Sequence, residues 1–307
     1  MRNRFFTAAL VAFTTLSACD IGQVTVGTTA KVLARAQPSL QQESDWQLAH
    51  DAIPGALKTI EGFWIVDPSN EVLIPILTEG YCQYGTAFVE DDWEVAGFAH
   101  KQDEVEYHNS RATHIFSRCL NFALKTLGER WQKEVFADPD TVTKLVKDTR
   151  GGSRNAMMFA GMALGSIINH NLNHIEMIGY LPTVLAILNR VVELDAKNPP
   201  SNLVYRALPH IALGMLHSAV SPQLGGKPDL AKQEFELALK ITDGKMLLAR
   251  SLMGYRVGKQ TNDEAYFHEQ LKQVLETAPS VWPEQRLANE VAHRRARRYL
   301  SHEKEIF

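Results

Sequence analysis

The sequence has little of what nucleic-acid binding, hydrolytic chemistry or a β-fold would require. Its 32 basic and 35 acidic residues give a net charge of −3, and no long basic stripe runs along the chain, so nucleic acid is not an expected partner. No serine lies in the Gly-x-Ser-x-Gly setting of a hydrolase nucleophile. The stretch at 151–154 lacks the lysine and the spacing of a phosphate-binding loop. The usual motifs of a serine hydrolase and of a phosphate-binding loop are therefore missing, and we expect no cofactor and no metal.

Cysteine is scarce, with three residues in the chain: Cys19, Cys82 and Cys119. Cys19 belongs to the N-terminal signal described below. Cys82 and Cys119 leave two alternatives open, a disulfide, which an oxidising compartment would allow, or two small buried side chains. We expect the second, because Cys119 takes the small-residue position of a predicted helix pair.

The first eighteen residues are typical of a signal peptide. Arg2 and Arg4 precede an apolar stretch from Phe5 to Leu16 that is too short to span a bilayer. The stretch at 16–19, Leu-Ser-Ala-Cys, then matches a bacterial lipobox. The lipobox predicts that residues 1–18 are removed and that Cys19 carries a diacylglyceryl group. The two acyl chains of that group are enough for stable anchoring. The alternative is an ordinary secretory signal with a chance cysteine.

This signal predicts a lipoprotein of the bacterial periplasm, attached to a membrane. Asp20 follows the cysteine and favours the inner membrane, with the outer membrane as the alternative. Residues 19–44 are predicted to be the lipidated cysteine and a flexible tether, and residues 45–307 one helical domain.

The strongest folding pattern lies between Leu213 and Leu239. Gly214 falls in one predicted helix, and Ala231, Phe235 and Ala238 share a face of the next, at i, i+4 and i+7. This spacing is typical of a tetratricopeptide (TPR) hairpin, in which small residues let two helices approach and an aromatic ring fills the gap. Relative to that template the turn carries an insert at 221–226.

The same offsets recur at Ala112, Phe116 and Cys119, and no strand-like alternation persists anywhere. We therefore predict an all-α, TPR-like solenoid of four to five helical hairpins with a C-terminal capping helix. The predicted helices cover 45–66, 73–90, 104–127, 153–170, 175–194, 203–220, 229–241, 246–259, 263–276 and 284–300. An acidic loop at 90–92 is expected to end the second of them, and the stretch 131–147 is ambiguous.

Three groups of side chains are candidates for function. Tyr81, Tyr84 and Phe88 exceed what one packing face needs, so we predict a ligand or partner face there, with core packing as the alternative. His170 and His174 have the i, i+4 spacing of a metal pair but no acid at a suitable distance except Glu176, so no metal is predicted. The basic run at 294, 295, 297 and 298 is expected to be a solvated face that pairs with acids, with anionic lipid or an acidic partner as the alternative.

Four stretches, taken in order and spacing, carry a resemblance to a known family. They are Asp51-Ala52-Ile53-Pro54 with Leu57-Lys58-Thr59-Ile60-Glu61; Tyr84-Gly85-Thr86-Ala87-Phe88; Pro222-Gln223-Leu224-Gly225-Gly226 with Ala231 and Phe235; and Arg286-Leu287-Ala288-Asn289 with Arg294-Arg295-Ala296-Arg297. Over roughly residues 45–300 the chain resembles TatT, the T component associated with certain TRAP transporters. It departs from the TPR pattern in the turn at 221–226 and in the linker at 131–150.

The resemblance implies a periplasmic TPR-like lipoprotein that serves a solute uptake system without being an enzyme. It further implies a homotrimer, a periplasmic solute-binding protein as the partner, an indirect link to the TRAP membrane subunits, and an apolar or amphipathic small ligand. The alternative function is a general TPR scaffold for envelope protein assembly.

Overall fold

The computed structural model describes residues 21–307, and within them every regular element is helical. The signal peptide, Cys19 and Asp20 lie outside the described residues. The helices are α1 (Ile21–Gln41), α2 (Trp46–Val66), α3 (Leu73–Tyr84), α4 (Glu90–Phe98), α5 (Gln102–Leu127), α6 (Glu129–Glu134), α7 (Pro139–Asp148), α8 (Arg154–Asn169), α9 (Ile175–Ile178), α10 (Leu181–Lys197), α11 (Leu203–His217), α12 (Pro228–Ile241), α13 (Leu247–Thr261), α14 (Glu264–Glu276), α15 (Arg286–Ser301) and α16 (Glu303–Ile306). A π-turn, Gly85–Val89, joins α3 to α4.

The predicted all-α class is confirmed. Helix starts follow local chemistry, since the side chains of Asp45, Asp138 and Asn202 each accept hydrogen bonds from two backbone N–H groups of the first turn. Pro139 then occupies the first turn of α7, where its missing N–H costs no hydrogen bond. The Asp138 cap and Pro139 explain why α7, in the ambiguous linker, has a defined start, whereas α6 begins after Gly128 without a side-chain cap. That the hairpins form a TPR-type solenoid stays a prediction.

Close approach of helix pairs depends on glycine at several crossings. A Cβ on Gly214 of α11 would lie 2.9 Å from the ring of Phe235 on α12, and a Cβ on Gly85 would lie 2.7 Å from the ring of Phe116 on α5. The rings of Phe235 and Phe116 therefore occupy the space that a larger side chain would need. The face that the sequence assigns to Ala231, Phe235 and Ala238 is buried as expected.

Two predictions about chain segments were wrong. Residues 21–41, predicted as part of a flexible tether, form helix α1, with Val26 and Ala30 buried against the body. The acidic stretch at 90–92 does not end a helix, because it forms the first turn of α4. The backbone is helical on both sides of this stretch, because the π-turn leads directly from α3 into α4.

The expectation that Cys82 and Cys119 are free was also wrong, because they form a disulfide between α3 and α5. Their Cα atoms are 5.3 Å apart, a separation that a disulfide spans readily. Cys119 does take the small-residue position of a helix pair, and the close approach of the helices at that position is what allows the bond. Helices that approach closely at Cys119 also bring Cys82 within reach.

Removing this disulfide is expected to lower the free energy of unfolding by about 2–4 kcal/mol, because the bond closes a loop of 37 residues in the unfolded chain. The variant is Cys82→Ala with Cys119→Ala, and the measurement is urea denaturation beside the oxidised wild type. Wild type treated with a reductant should move toward the variant. Equal midpoints for variant and oxidised wild type would contradict the prediction.

One helical stretch of the described residues, Ile175–Lys197, is long and apolar enough to cross a membrane, judged by length and composition alone. Its Val184, Ile187 and Leu188 are buried in the main core and pack near Gly161 and Gly165 of α8. The apolar residues of α10 are therefore used in packing against α8.

Candidate functional site

A cavity of about 370 Å³ lies where the first helices of the body meet the last. Its volume falls in the range of small-molecule sites. Its lining comes from α1, α2, α3, the π-turn, α8, α11, α13 and α15. The lining residues are Leu33, Ala36, Gln37, Ser39, Leu40, Gln41, Ile53, Ala56, Leu57, Ile60, Ile76, Gly80, Cys82, Gln83, Tyr84, Thr86, Ala87, Phe88, Phe159, Met162, Val204, Leu208, Met246, Leu248, Gln285, Leu287, Ala288 and Val291.

Charge is missing from this lining. Among the described residues 21–307, those that line the cavity include no Asp, Glu, Lys, Arg or His. The polar groups are amides and hydroxyls, such as Gln83, Gln285 and Thr86. A site of this kind holds an apolar molecule and leaves a carboxylate or phosphate without a counter-charge.

Helix α1 supplies one wall of the cavity with Leu33, Ala36 and Leu40. The side-chain hydrogen bonds of its residues 25–39 stay within the helix, for example Ser39 Oγ to the Ala36 carbonyl at 2.8 Å. Helix α1 therefore contacts the rest of the domain mainly through apolar side chains. Helix α1, described from Ile21 onward, thus forms part of the cavity wall.

The opposite wall is built around the π-turn that follows α3. Gly85 meets the ring of Phe116 here, and the carbonyl of Thr86 accepts a hydrogen bond from Arg295 Nη2 at 2.6 Å. A π-turn shifts the backbone bonding pattern of a helix and is found often at functional sites. Arg295 thereby connects the cavity wall on α3 to the C-terminal helix α15.

Arg295 belongs to a charged cluster between α15 and α4. Its side chain is almost fully buried and lies 3.8 Å from Glu90 Oε2 and 3.9 Å from Glu94 Oε2. Arg298 contacts Glu94 and lies 2.8 Å from Asp91 Oδ1. Burial acts to raise the pKa of Glu94, but the charges of Arg295 and Arg298 outweigh it and lower that pKa. The cluster joins α4 to α15, whose charged residues are about two hundred positions apart in the sequence.

A second buried polar group is centred on Glu79, a residue of α3. Glu79 is 8% exposed, and burial raises the pKa of its carboxyl. Tyr205 donates its hydroxyl to Glu79 Oε2 at 2.7 Å, and Gln83 donates Nε2 to Glu79 Oε1 at 2.8 Å. Each carboxylate oxygen of Glu79 thus accepts a hydrogen bond. Of the two donors, Gln83 also lines the cavity.

The three predicted site aromatics separate in the structure. Tyr84 and Phe88 line the cavity, with ring centroids 5.6 Å apart, while both are at most 2% exposed. Tyr81 is not among the lining residues, and its hydroxyl donates to Glu61 Oε2 at 2.6 Å. Tyr84 also contacts Arg111, whose Nη2 donates to the Tyr84 hydroxyl at 2.5 Å. A ligand role for Tyr81, Tyr84 and Phe88 stays a prediction.

The histidine pair does not share one helix face. His170 follows α8, is buried, and has Nδ1 2.8 Å from Asn109 Oδ1. His174 precedes α9, is about half exposed, and lies 3.4 Å from Glu176. Within residues 21–307, no group of three or more His, Cys, Asp or Glu side chains is arranged to hold a metal.

The basic run of α15 pairs with acids, as expected, but it is not a solvated face. Arg295 is 1% exposed, and Arg294 Nε lies 2.6 Å from Asp91 Oδ2. The neighbouring Arg297 is exposed. Sequence reasoning missed this burial, although the i, i+1, i+4 spacing of Arg294, Arg295 and Arg298 on a helix and the acids at 90, 91 and 94 were both visible.

Comparison with protein families gives one match over most of the chain. The family TAtT, TRAP transporter T-component, matches residues 42–307, which is the body from the turn before α2 to the C-terminus. Comparison with curated proteins finds no match. The cavity, its walls on α2, α3, α8, α11, α13 and α15, and the charged cluster all lie in the matched region, and α1 lies before it. The chain belongs to the TRAP transporter T-component family.

Proposed function

We propose that this protein is a lipid-anchored accessory of a TRAP uptake system that docks a periplasmic solute-binding protein and passes an apolar or amphipathic ligand through its cavity. The observation that carries the proposal is the uncharged cavity inside the body of a TRAP component. Family membership favours transport over a general envelope scaffold. In this role the protein binds and hands over a ligand and catalyses no reaction.

The partners follow from the same proposal. The solute-binding protein is the direct partner, the TRAP membrane subunits are reached indirectly through it, and the working assembly is a homotrimer. The central experiment measures binding between the purified lipid-free protein and the periplasmic solute-binding protein of the same uptake system, with light scattering for the oligomer. Absence of any binding at high micromolar concentrations would overturn docking.

Filling the cavity should block ligand binding without unfolding the body. Ala87 lies on the cavity wall at the π-turn and is only partly buried, so its side chain borders open space. Ala87→Trp is expected to weaken binding of the apolar fluorophore N-phenylnaphthylamine at least about tenfold, a loss of roughly 1.4 kcal/mol or more. The measurement is a fluorescence titration, with a thermal melt of the same sample.

The matched control is Ala52→Trp, an exposed alanine of α2 that does not line the cavity. This variant should bind the fluorophore like the wild type. If both variants bind equally well, the fluorophore binds elsewhere, and the cavity is not the ligand site.

Membrane attachment is expected to depend on Cys19, which lies outside the described residues. Cys19→Ala removes the acceptor of the diacylglyceryl group and with it the two acyl chains that stable anchoring requires. We expect the variant in the soluble fraction, or retained as an unprocessed precursor. Membrane fractionation and the mass of the mature protein report the result, and unchanged processing with unchanged fractionation would remove Cys19 as the anchor.

A further inference from the structure

Gln83 holds a distinctive position in the cavity. It follows Glu79 by four residues on α3, so the two side chains share one face of the helix. Gln83 is exposed, and Ala87, one turn after it, also lines the cavity and is small. The amide of Gln83 therefore stands in an open part of an otherwise apolar wall.

The orientation of this amide is set from behind. A carboxylate only accepts hydrogen bonds, so the group that faces Glu79 Oε1 at 2.8 Å must be the NH2 of Gln83. Tyr205 donates to the other carboxylate oxygen at 2.7 Å, so both oxygens of Glu79 act as acceptors here. The carbonyl oxygen of Gln83 is then turned away from Glu79.

That carbonyl oxygen accepts no hydrogen bond from any other residue in the range 21–307. Gln83 is exposed as well as lining the cavity, so water reaches this oxygen when the site is empty. A ligand that carries a donor can replace that water. A second acceptor, such as a carboxylate or phosphate oxygen, would only repel it.

We propose that Gln83 is the specificity-determining residue of the cavity and that it selects an uncharged amphipathic ligand by accepting a hydrogen bond from the ligand's hydroxyl or N–H group. Glu79 is the positioning residue, since it fixes which end of the amide faces the ligand. This inference rests on the proposed ligand-binding function of the cavity and adds the chemical class of the ligand.

The test compares two probes of identical composition, decanol and methyl nonyl ether. Both are uncharged amphiphiles, but only decanol donates a hydrogen bond. Each is titrated against bound N-phenylnaphthylamine in wild type and in Gln83→Met, which keeps the length of the side chain and removes the acceptor. Because both proteins see the same hydration of each probe, the ratio of the two dissociation constants isolates the contribution of Gln83.

We expect Gln83→Met to weaken decanol binding about three- to tenfold and to leave the ether within about twofold, in line with the net value of one hydrogen bond. The ether also reports that the variant is folded and its cavity intact. The matched control is Gln47→Met, because Gln47 makes the same i, i+4 amide–carboxylate contact with Asp51 at 3.0 Å on the exposed surface of α2. That control should leave the ratio unchanged.

Glu79→Gln tests the positioning role. The new amide can accept or donate, so Gln83 is free to turn, and the preference for decanol should fall between those of wild type and Gln83→Met. A ratio identical to wild type would show that Glu79 does not orient Gln83.

The outcomes separate this inference from the function on which it rests. Equal weakening of both probes by Gln83→Met, or no change in decanol binding, overturns the role of Gln83 and leaves the cavity as a ligand site. Failure of the wild type to bind the fluorophore and both probes overturns the ligand-binding function and this inference together.

Discussion

Replacing Arg295 with methionine is expected to lower the free energy of unfolding by about 3–5 kcal/mol, because the change removes the arginine beside Glu90 and leaves Glu94 with Arg298 alone. Glu90 and Glu94 would each lose a cationic neighbour at 3.8–3.9 Å, and the carbonyl of Thr86 would lose its donor at 2.6 Å. Methionine has similar length, so the loss measures charge and hydrogen bonding more than packing. Urea denaturation of both proteins at neutral pH gives the difference.

The matched control for this change is Arg297→Met, an exposed arginine on the same helix. Its removal should alter the free energy of unfolding by at most about 0.5 kcal/mol. A similar loss in both variants would mean that the helix needs positive charge in general rather than this buried cluster.

The effect of Arg295 should also depend on pH in a defined direction. The folded state lowers the pKa of Glu94, so its contribution is present above the unfolded pKa of about 4.3 and is lost as pH falls through the lower folded value. The difference between wild type and Arg295→Met should therefore narrow below about pH 4. A constant difference from neutral pH down to pH 3 would show that Arg295 acts through packing alone.

Much of the helical body could be predicted because its signals are local. The spacing of Ala231, Phe235 and Ala238 indicates a buried helix face, and the structure buries all three. Asp45 and Asn202 mark helix starts, since a carboxylate or amide that accepts from the first-turn N–H groups is readable from neighbouring residues. Patterns that repeat within one helix needed no knowledge of the tertiary structure.

The features that were missed depend on residues far apart in the chain. The acids at 90–92 were predicted to form a loop, because three consecutive acids suggest solvent. In the structure Glu90, Asp91 and Glu94 pair with arginines of α15 about two hundred residues later. The apolar residues of helix α1 are not strongly gathered on one face, and packing on α2 and α15 holds the helix in place. The spacing of apolar residues within one helix does not show which distant residues will pack against that helix in the folded chain.

The cavity shows the same limit. Tyr84 and Phe88 stood out because aromatic side chains exceeded one packing face, and both do line the cavity. Gln83 lies directly before Tyr84 and gave no signal, because one glutamine on a helix is ordinary. The role proposed for Gln83 depends on Glu79 and Tyr205, and Tyr205 is 126 positions from Glu79 in sequence.

Truncating Phe235 to alanine is expected to lower the free energy of unfolding by about 3–5 kcal/mol, the usual cost of removing a buried phenylalanine. Phe235 is fully buried between α11 and α12, in a cluster with Ala207, Ala231 and Met253. The glycine opposite it has no side chain to move into the space, so the cavity left by the ring would collapse poorly. The control on the same helix is Leu237→Ala, because Leu237 is 43% exposed.

The same contact predicts a coupling between Phe235 and Gly214. A Cβ on Gly214 would lie 2.9 Å from the Phe235 ring, so Gly214→Ala should destabilise the wild type. In the Phe235→Ala background the ring is gone and the added methyl fills part of the empty space, so the same change should be neutral or stabilising. Urea denaturation of the four proteins gives the coupling energy, expected at about 1–3 kcal/mol. Additive effects would mean that Gly214 does not serve to make room for the Phe235 ring. The close approach of the two helices in this hairpin would then have another cause.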